Sequence, residues 1–512
     1  MAKSLVKSTG IFSSMTFISR ILGFARDMVV AHLFGATGVT DAFFVAFKIP
    51  NFMRRLFAEG AFAQAFVPVL AEYKEKRSAR ELQEFVNRIA GTLALILMVV
   101  TIVGIVAAPI VITIFSPGFP HDGTRYELAE HMLRITFPYI LFISLTAFAG
   151  GILNTHNRFA GPAFTPVLLN LSMIAFAIWV SPHLADPITA LAWGVFVGGI
   201  IQLAFQFPFL RQIKLVPIFK WGWRDPGVQR VLKLMIPALF GVSVAQIGLL
   251  VDTMFASFLQ QGSISWLYNS ERLMMFPLGV FGVAISTVVL PHLSKKHANK
   301  STQDYSDTLN WAIRAVLFIG VPAAIGLILL SGPLLATMFN YGHFNDFDVV
   351  MTRQSLIAYS IGIPAMMLVK VLASGFYAQQ NIKTPVKIAA IALAVNVIMN
   401  FALIVPLHHA GLALASAIAA IVNATLLLWL LKKYNIAKAA KGWGVFLLRC
   451  IIANGLMAIV LWLGTADLQQ WFTWHWSQRA LHLFVILIAA ITTYLLTLRV
   501  SGLRLKHLRS PN

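Results

Sequence analysis

The sequence predicts an all-α polytopic membrane protein, with about fourteen transmembrane helices arranged as two pseudo-symmetric six-helix lobes plus two C-terminal helices. Three observations carry this prediction. The 512 residues are 58% hydrophobic and only 12% charged, with a mean hydropathy of +0.78, whereas a soluble domain carries about 25% charged residues. Apolar runs of about twenty residues, each able to cross about 30 Å of hydrocarbon, recur along the chain, and the alternating pattern of a transmembrane β-barrel is absent. A weak internal repeat relates one half of the chain to the other.

The first apolar run, from about Ile11 to Phe34, contains Arg20, Arg26 and Asp27. A cleavable signal peptide needs an uninterrupted apolar stretch and a small-residue cleavage site, so this run is read as an uncleaved first helix. Further runs open near Asp41, Ile89, Glu130, Pro162, Ile188, Val228, Trp266, Thr308, Arg353, Pro385, Gly411, Trp443 and Arg479. Basic residues cluster in alternate connections, among them Lys74 to Arg80, Arg211 to Arg230, Lys295 to Lys300, and Lys432 to Lys441. By the positive-inside rule both termini are then cytoplasmic and the number of spans is even. From Lys214 to Arg224, Trp221 and Trp223 stand among basic residues beside Pro217, the pattern of an interfacial segment. The expected organisation is a first lobe over 1–214, an interfacial linker over 215–227, a second lobe over 228–434, and additional helices over 441–502.

The repeat rests on spacing. Pro68 and Pro291, Asn87 and Asn310, Pro162 and Pro385, and Ala190-Leu191-Ala192 and Ala413-Leu414-Ala415 all pair at one sequence offset, 223. Pro109 with Pro333 and Gly118 with Gly342 match at 224. One near-constant offset through six spans favours duplication. An even number of spans per unit makes the repeats parallel, with a central cavity expected between them.

The chemistry lies in charges placed where lipid is expected. Arg20, Gly23 and Asp27 share one helical face, and Lys48, Asn51, Arg55 and Glu59 form a second such stripe; Arg26 and Arg54 widen the polar surface, and Glu271-Arg272 adds a cation in the second half. An arginine at the bilayer centre costs about 2.5–3.5 kcal/mol, so four of them must pair or line water. Asp27, Asp41, Glu59 and Glu271 are outnumbered by Arg20, Arg26, Lys48, Arg54, Arg55 and Arg272. A surplus of buried positive charge calls for an anionic ligand, and the guanidinium fork suits phosphate. Pro50 is expected to interrupt its helix and free backbone groups that then face a cavity.

Other polar groups have two readings. Arg20 with Asp27, and Arg55 with Glu59, also suit structural ion pairs, and Arg55 also suits a side chain reaching to the interface. Lys370 is either a second cavity charge or a helix-end charge. Asp252, Asn396 and Asn400 suit a cation site or, as the favoured reading, polar packing between helices.

Several classes are excluded. The net charge of +21 comes in short clusters between apolar runs, not along one nucleic-acid-binding face. The single cysteine, Cys450, excludes an intrachain disulfide and a zinc–cysteine site, and His408-His409 has no acidic partner at ligand spacing. No metal site and no bound cofactor are expected. No nucleophile and base set or phosphate-cradling glycine loop is present, so the chain reads as a transporter and not an enzyme.

The runs Ser19-Arg20-Ile21-Leu22-Gly23-Phe24-Ala25-Arg26-Asp27, Thr40-Asp41-Ala42-Phe43-Phe44-Val45-Ala46-Phe47-Lys48-Ile49-Pro50-Asn51 and Arg54-Arg55-Leu56-Phe57-Ala58-Glu59-Gly60-Ala61-Phe62 closely resemble the MurJ (MviN) family of lipid II flippases. Glu271-Arg272-Leu273-Met274, Gly375-Phe376-Tyr377 and Lys383-Thr384-Pro385-Val386-Lys387 extend the resemblance along the chain. The resemblance implies a member of the multidrug/oligosaccharidyl-lipid/polysaccharide (MOP) exporter superfamily in the bacterial inner membrane. Such a protein moves undecaprenyl-diphosphate-linked disaccharide-pentapeptide to the periplasmic leaflet by alternating access, for peptidoglycan synthesis. It further implies that Arg20, Arg26, Arg54 and Arg272 engage the diphosphate and head group, with Ser19, Asp41 and Asn51 as polar neighbours, and that the last two helices form a groove for the lipid tail. Some members have an acidic residue where this chain has Met275. A sodium site, where members have one, falls near Asp252, Asn396 and Asn400. Na+ or H+ coupling, or the membrane potential, then gives direction. Membrane lipid and cell-wall synthesis proteins are the implied partners, and a monomer suffices. The alternative is an ion-coupled exporter of another lipid-linked oligosaccharide or an amphiphilic drug.

Overall fold

The computed structural model describes residues 2–56, 62–121, 123–299, 301–434, 436 and 442–502, and its regular secondary structure is entirely helical among them. The chain divides into two compact units, Met1–Ile264 and Ser265–Asn512.

The first unit is built from α1 (Ala2–Phe34), α2 (Gly38–Met53), α3 (Ala63–Lys76), α4 (Ala79–Val106), α5 (Ala108–Phe115), α6 (Thr124–Thr136), α7 (Tyr139–Thr155), α8 (Ala160–Ala175), α9 (Thr189–Gln212) and α10 (Pro226–Ser257). Local chemistry sets the ends. Ser78 and Glu81 close a capping box at the start of α4, satisfying backbone donors that have no helical partner. Asp225 accepts from the Gly227 and Val228 N–H groups and Pro226 follows it, so α10 starts there. Small residues let helices approach: a Cβ on Gly194 or Gly199 of α9 would meet Met173 and Tyr139 at 3.1 and 2.8 Å. Packing groups α10 with α2, α3, α4 and α5. Arg230 of α10 also donates to Glu72 of α3 at 2.8 Å, and that guanidinium holds the Glu72 carboxyl below its usual range.

The expected break at Pro50 does not occur. α2 passes through Pro50 to Met53 and on into a π-helical turn over 54–56. Proline still leaves the Ala46 carbonyl without its i+4 donor. The Thr136 hydroxyl of α6 donates to that carbonyl at 3.2 Å, buried. The freed backbone group therefore meets a neighbouring helix instead of a cavity.

The second unit continues with α11 (Ser263–Pro277), which begins at the boundary, α12 (Val283–Ala298), α13 (Thr302–Leu329), α14 (Ser331–Met338), α15 (Asp346–Tyr377), α16 (Lys383–Lys433), α17 (Trp443–Gly464), α18 (Leu468–Thr473) and α19 (Trp476–Val500). α13 repeats the 28 residues of α4, and α14 the 8 residues of α5, and both pairs of starting positions keep the offset found in the sequence. The 51 residues of α16 are two helices merged across His408, whose φ of 49° and ψ of −130° are not helical. An unbroken helix of that length would extend about 76 Å, far beyond a bilayer.

By length and apolarity, ten stretches among the described residues are able to cross a membrane. α1, the α2–α3 pair and α10 are not among the ten, and Lys383–Lys433 counts once, which accounts for the difference from the expected fourteen. α17 and α19 pack on each other through Cys450, Ala453, Met457, Ile486 and Ala490. The side chain of Arg479 crosses this region buried, with all its hydrogen bonds to backbone carbonyls: Ala336 at 2.7 Å, Phe472 and Trp474 at 2.9 Å, and Asn340 at 3.4 Å. Ala336 and Phe472 lie in the last turns of α14 and α18, where helix dipoles favour a cation.

Candidate functional site

In the first unit the charged faces of α1 and α2 are resolved into separate roles. Arg26 is 6% exposed and its neighbour Asp27 3%. Nε and Nη2 of Arg26 both donate to Asp27 Oδ1, at 3.0 and 2.5 Å, so Asp27 pairs with the adjacent arginine. Arg26 Nη1 donates to Asn170 Oδ1 of α8 at 3.2 Å, and the guanidinium stands 5.8 Å from the centre of the Phe47 ring. Asn170 in turn donates through Nδ2 to the Ser19 carbonyl at 3.2 Å. One amide thereby ties α1 to α8. A buried charge so surrounded keeps a fixed geometry, and its desolvation is offset only while the partners remain.

The remaining cations are less enclosed. Arg54 is half-buried and donates through Nε to Asn51 Oδ1 at 2.9 Å. Arg55 is half-buried beside it in the π-helical turn, while Glu59 lies outside the described residues. Lys48 is half-buried, with Nζ 3.1 Å from the Thr253 hydroxyl of α10. Arg20 is half-buried and makes no hydrogen bond or ion pair among the described residues. Asp41, 1% exposed in the first turn of α2, accepts from the Gly262 N–H at 2.7 Å. From Arg20 to Leu56 there are five cations, Arg20, Arg26, Lys48, Arg54 and Arg55, against Asp27 and Asp41. Of these cations Arg26 is buried and the other four are half-buried.

In the second unit Arg272 and Glu271 are half-buried, and the Arg272 guanidinium lies 5.9 Å from the Tyr268 ring centre. Lys370 is exposed on α15. Asn396 donates to the Ser416 hydroxyl at 3.2 Å, and Asn400 donates to Asn396 Oδ1 at 3.3 Å. The Asn396–Ser416 bond joins the two halves of α16, and the Asn400–Asn396 bond lies within its first half. Asp252 is half-buried on α10 of the first unit. No group of three or more His, Cys, Asp or Glu that could hold a metal ion occurs among the described residues.

Asn170 and Thr253 were not selected from the sequence. A lone amide within the apolar run from Val167 to Met173 is the kind of intramembrane polar group that marks a partner, and it was the available signal for Asn170. Thr253, beside Asp252 in another apolar run, offers no comparable distinction.

The chain matches the family described as "MurJ: Lipid II flippase MurJ" over residues 30–481. It is 45% identical over 511 residues to "Probable lipid II flippase MurJ" of Haemophilus influenzae, covering 97% of this chain and 100% of that protein. The chain belongs to the MurJ lipid II flippase family. A family member from Burkholderia cenocepacia, "Lipid II flippase MurJ", is 45% identical over 450 residues, 87% of each chain. Among solved structures, "Lipid II flippase MurJ, inward closed conformation" matches with a TM-score of 0.80 at 30% identity, covering 96% of this chain and 98% of that one. An inward-facing multidrug resistance MATE family transporter of the MOP superfamily matches with a TM-score of 0.66 at 14% identity, covering 83% of this chain and 97% of that one. That second likeness shows a shared fold.

Proposed function

We propose that this multi-pass membrane protein is a lipid II flippase, a transporter and not an enzyme, carrying undecaprenyl-diphosphate-linked disaccharide-pentapeptide from the cytoplasmic to the periplasmic leaflet of a bacterial inner membrane. The single observation that carries the reading is membership of the MurJ family along nearly the whole chain. The cationic surplus from Arg20 to Leu56 supports it, because a diphosphate is the part of the substrate that a guanidinium recognises best. Drug export is not favoured, since the multidrug relatives share only the fold.

In this reading Arg20, Arg54 and Arg272 bind the diphosphate and the sugar-peptide head group, with Ser19 and Asn51 as polar neighbours. Arg26, enclosed by Asp27, Asn170 and Phe47, orients the first helix. The two units alternate access to the two leaflets while the lipid tail stays in the bilayer or along α17 and α19. Both termini lie in the cytoplasm. With the interior negative, the membrane potential favours outward movement of net negative charge by about 2.3 kcal/mol per charge per 100 mV, and it supplies direction without a bound cofactor.

The test is leaflet-resolved labelling of lipid II in cells where this protein is the only flippase and can be switched off. Shut-off removes outward lipid II, wild type restores it, and Arg54→Ala and Arg272→Ala at normal membrane levels do not. Outward lipid II that persists after shut-off overturns the reading.

A further inference from the structure

Between the end of α9 and the start of α10 the chain forms a strap. It leaves α9 through Lys214, whose φ of 56° turns the chain, and then runs without helix along α4. Its backbone is fastened throughout. The Ile218 N–H donates to Asn87 Oδ1 at 2.8 Å, the Lys220 N–H to the Asn87 carbonyl at 3.2 Å, and the Gly222 N–H to the Thr92 hydroxyl at 3.2 Å. Lys220 and Arg88 form ion pairs with Glu84 and Asp225, at 3.3 and 2.6 Å. The approach is so close that a Cβ on Gly91 would stand 2.2 Å from the Lys220 carbonyl oxygen.

Ile218 to Trp221 are four consecutive exposed residues. Gly222 is buried toward α4, while Phe219, Trp221 and Trp223 are 57%, 61% and 46% exposed. The two indoles lie nearly parallel, with centres 6.0 Å apart and planes at 9°. A rigid backbone therefore displays three aromatic rings. Arg211, Lys214 and Arg224 flank them, exposed and without an ion pair among the described residues.

We propose that this strap is a docking surface for acidic phospholipid headgroups at the membrane–water boundary. The location supports a lipid occupant: α9 is 24 residues long and apolar enough to span, about 36 Å, so the strap begins where the helix has crossed the hydrocarbon. Tryptophan favours that boundary, with its ring among upper acyl chains and its N–H toward water. The three exposed cations complement the negative surface of a phosphatidylglycerol-containing leaflet. The assignment is independent of which substrate is transported.

The experiment uses the full chain in nanodiscs, in a Cys450→Ala background, with an environment-sensitive fluorophore on Trp223→Cys and, separately, on Trp221→Cys. Discs of phosphatidylcholine are compared with discs of equimolar phosphatidylcholine and phosphatidylglycerol, using iodide as the aqueous quencher and headgroup-proximal spin-labelled lipid as the membrane quencher. In the acidic discs both probes are expected to be shielded from iodide and quenched by the spin label. Lys214→Gln or Arg224→Gln, both at exposed positions, is expected to lower the docked-to-undocked ratio about fivefold each in acidic discs only. Probes equally open to iodide in both compositions overturn the proposal and leave the strap free for a soluble partner. Shielding that is indifferent to phosphatidylglycerol overturns the acidic-lipid assignment.

Discussion

Asn87 of α4 and Asn310 of α13 occupy equivalent positions in the two repeats, and each hydrogen-bonds the segment that leaves its own repeat. Asn87 accepts the N–H groups of Ile218 and Lys220 in the strap, and Asn310 accepts Trp443 Nε1 at 2.9 Å where α17 begins. Lys220 and Trp443 are themselves related by the same offset as Asn87 and Asn310. The duplication thus extends past the last helix of each repeat, and the additional helices are attached at the position that holds the strap in the first copy. Replacing Asn310 with Leu leaves the Trp443 indole N–H without this acceptor, and the expected cost is about 1–3 kcal/mol. Thermal unfolding in detergent should show it, and a loss of α17 protection in hydrogen exchange should accompany it.

Thr136→Val keeps the shape of the side chain and removes the donor to the Ala46 carbonyl. The carbonyl then loses the side-chain donor that stands in for its i+4 bond, for about 1–3 kcal/mol. Pro50→Ala restores an N–H able to bond the same carbonyl, so Thr136→Val should cost less in that background. A double-mutant cycle on thermal stability measures the difference, and equal costs in both backgrounds would contradict the role assigned to Thr136.

Asp27→Asn removes the carboxylate that pairs with the buried Arg26 guanidinium, and breaking such a pair costs about 3–5 kcal/mol. Removing both charges, with Arg26→Met and Asp27→Leu, should recover much of that stability. Transport separates structure from recognition: a stable double variant that still moves lipid II means Arg26 only orients α1, and a stable variant that does not means it also meets the substrate.

Asp41→Ala removes the acceptor of the Gly262 N–H and should loosen the turn between α10 and α11, with a cost of about 1.5–3 kcal/mol for a bond to a charged group. Asp41→Asn keeps an acceptor oxygen and should cost less. Limited proteolysis between Phe258 and Gly262 is the direct readout, with cleavage rising for Ala well above Asn.

Gly91→Ala places a methyl group against the backbone of Lys220, so either the strap or α4 must shift, at about 1–3 kcal/mol. Faster cleavage between Ile218 and Arg224 is expected, with the rest of the fold retained. Unchanged protection would mean that the strap is held otherwise.

Periodicity and charge made much of this molecule legible in its sequence. The apolar runs locate the helices, and the constant offset between the halves anticipates the matched lengths of α4 with α13 and of α5 with α14. The cationic surplus of α1 and α2 was equally visible, because every charge in an apolar run stands out. Pairing was not. Helical spacing put Asp27 on the face of Arg20, yet its carboxylate is gripped by Arg26, whose long side chain curls back to the adjacent residue under the constraint of α8. The continuity of α2 through Pro50 depends on Thr136, which belongs to a helix four elements further along the chain. Spacing along one chain fixes which side chains share a face, whereas their partners are chosen by helices that spacing does not orient.

The break in α16 at His408 leaves no spare length. Gly411 lies so close to Leu403 that a Cβ there would stand 2.3 Å from the Leu403 carbonyl oxygen, and a single non-helical residue reverses the chain. The two arms are therefore locked in phase: one inserted residue turns the second arm by about 100° and carries Ser416 away from Asn396. A reporter spliced into this hairpin would scramble the register of everything after it, so the connection that looks most like a dispensable loop is the one least able to accept a tag.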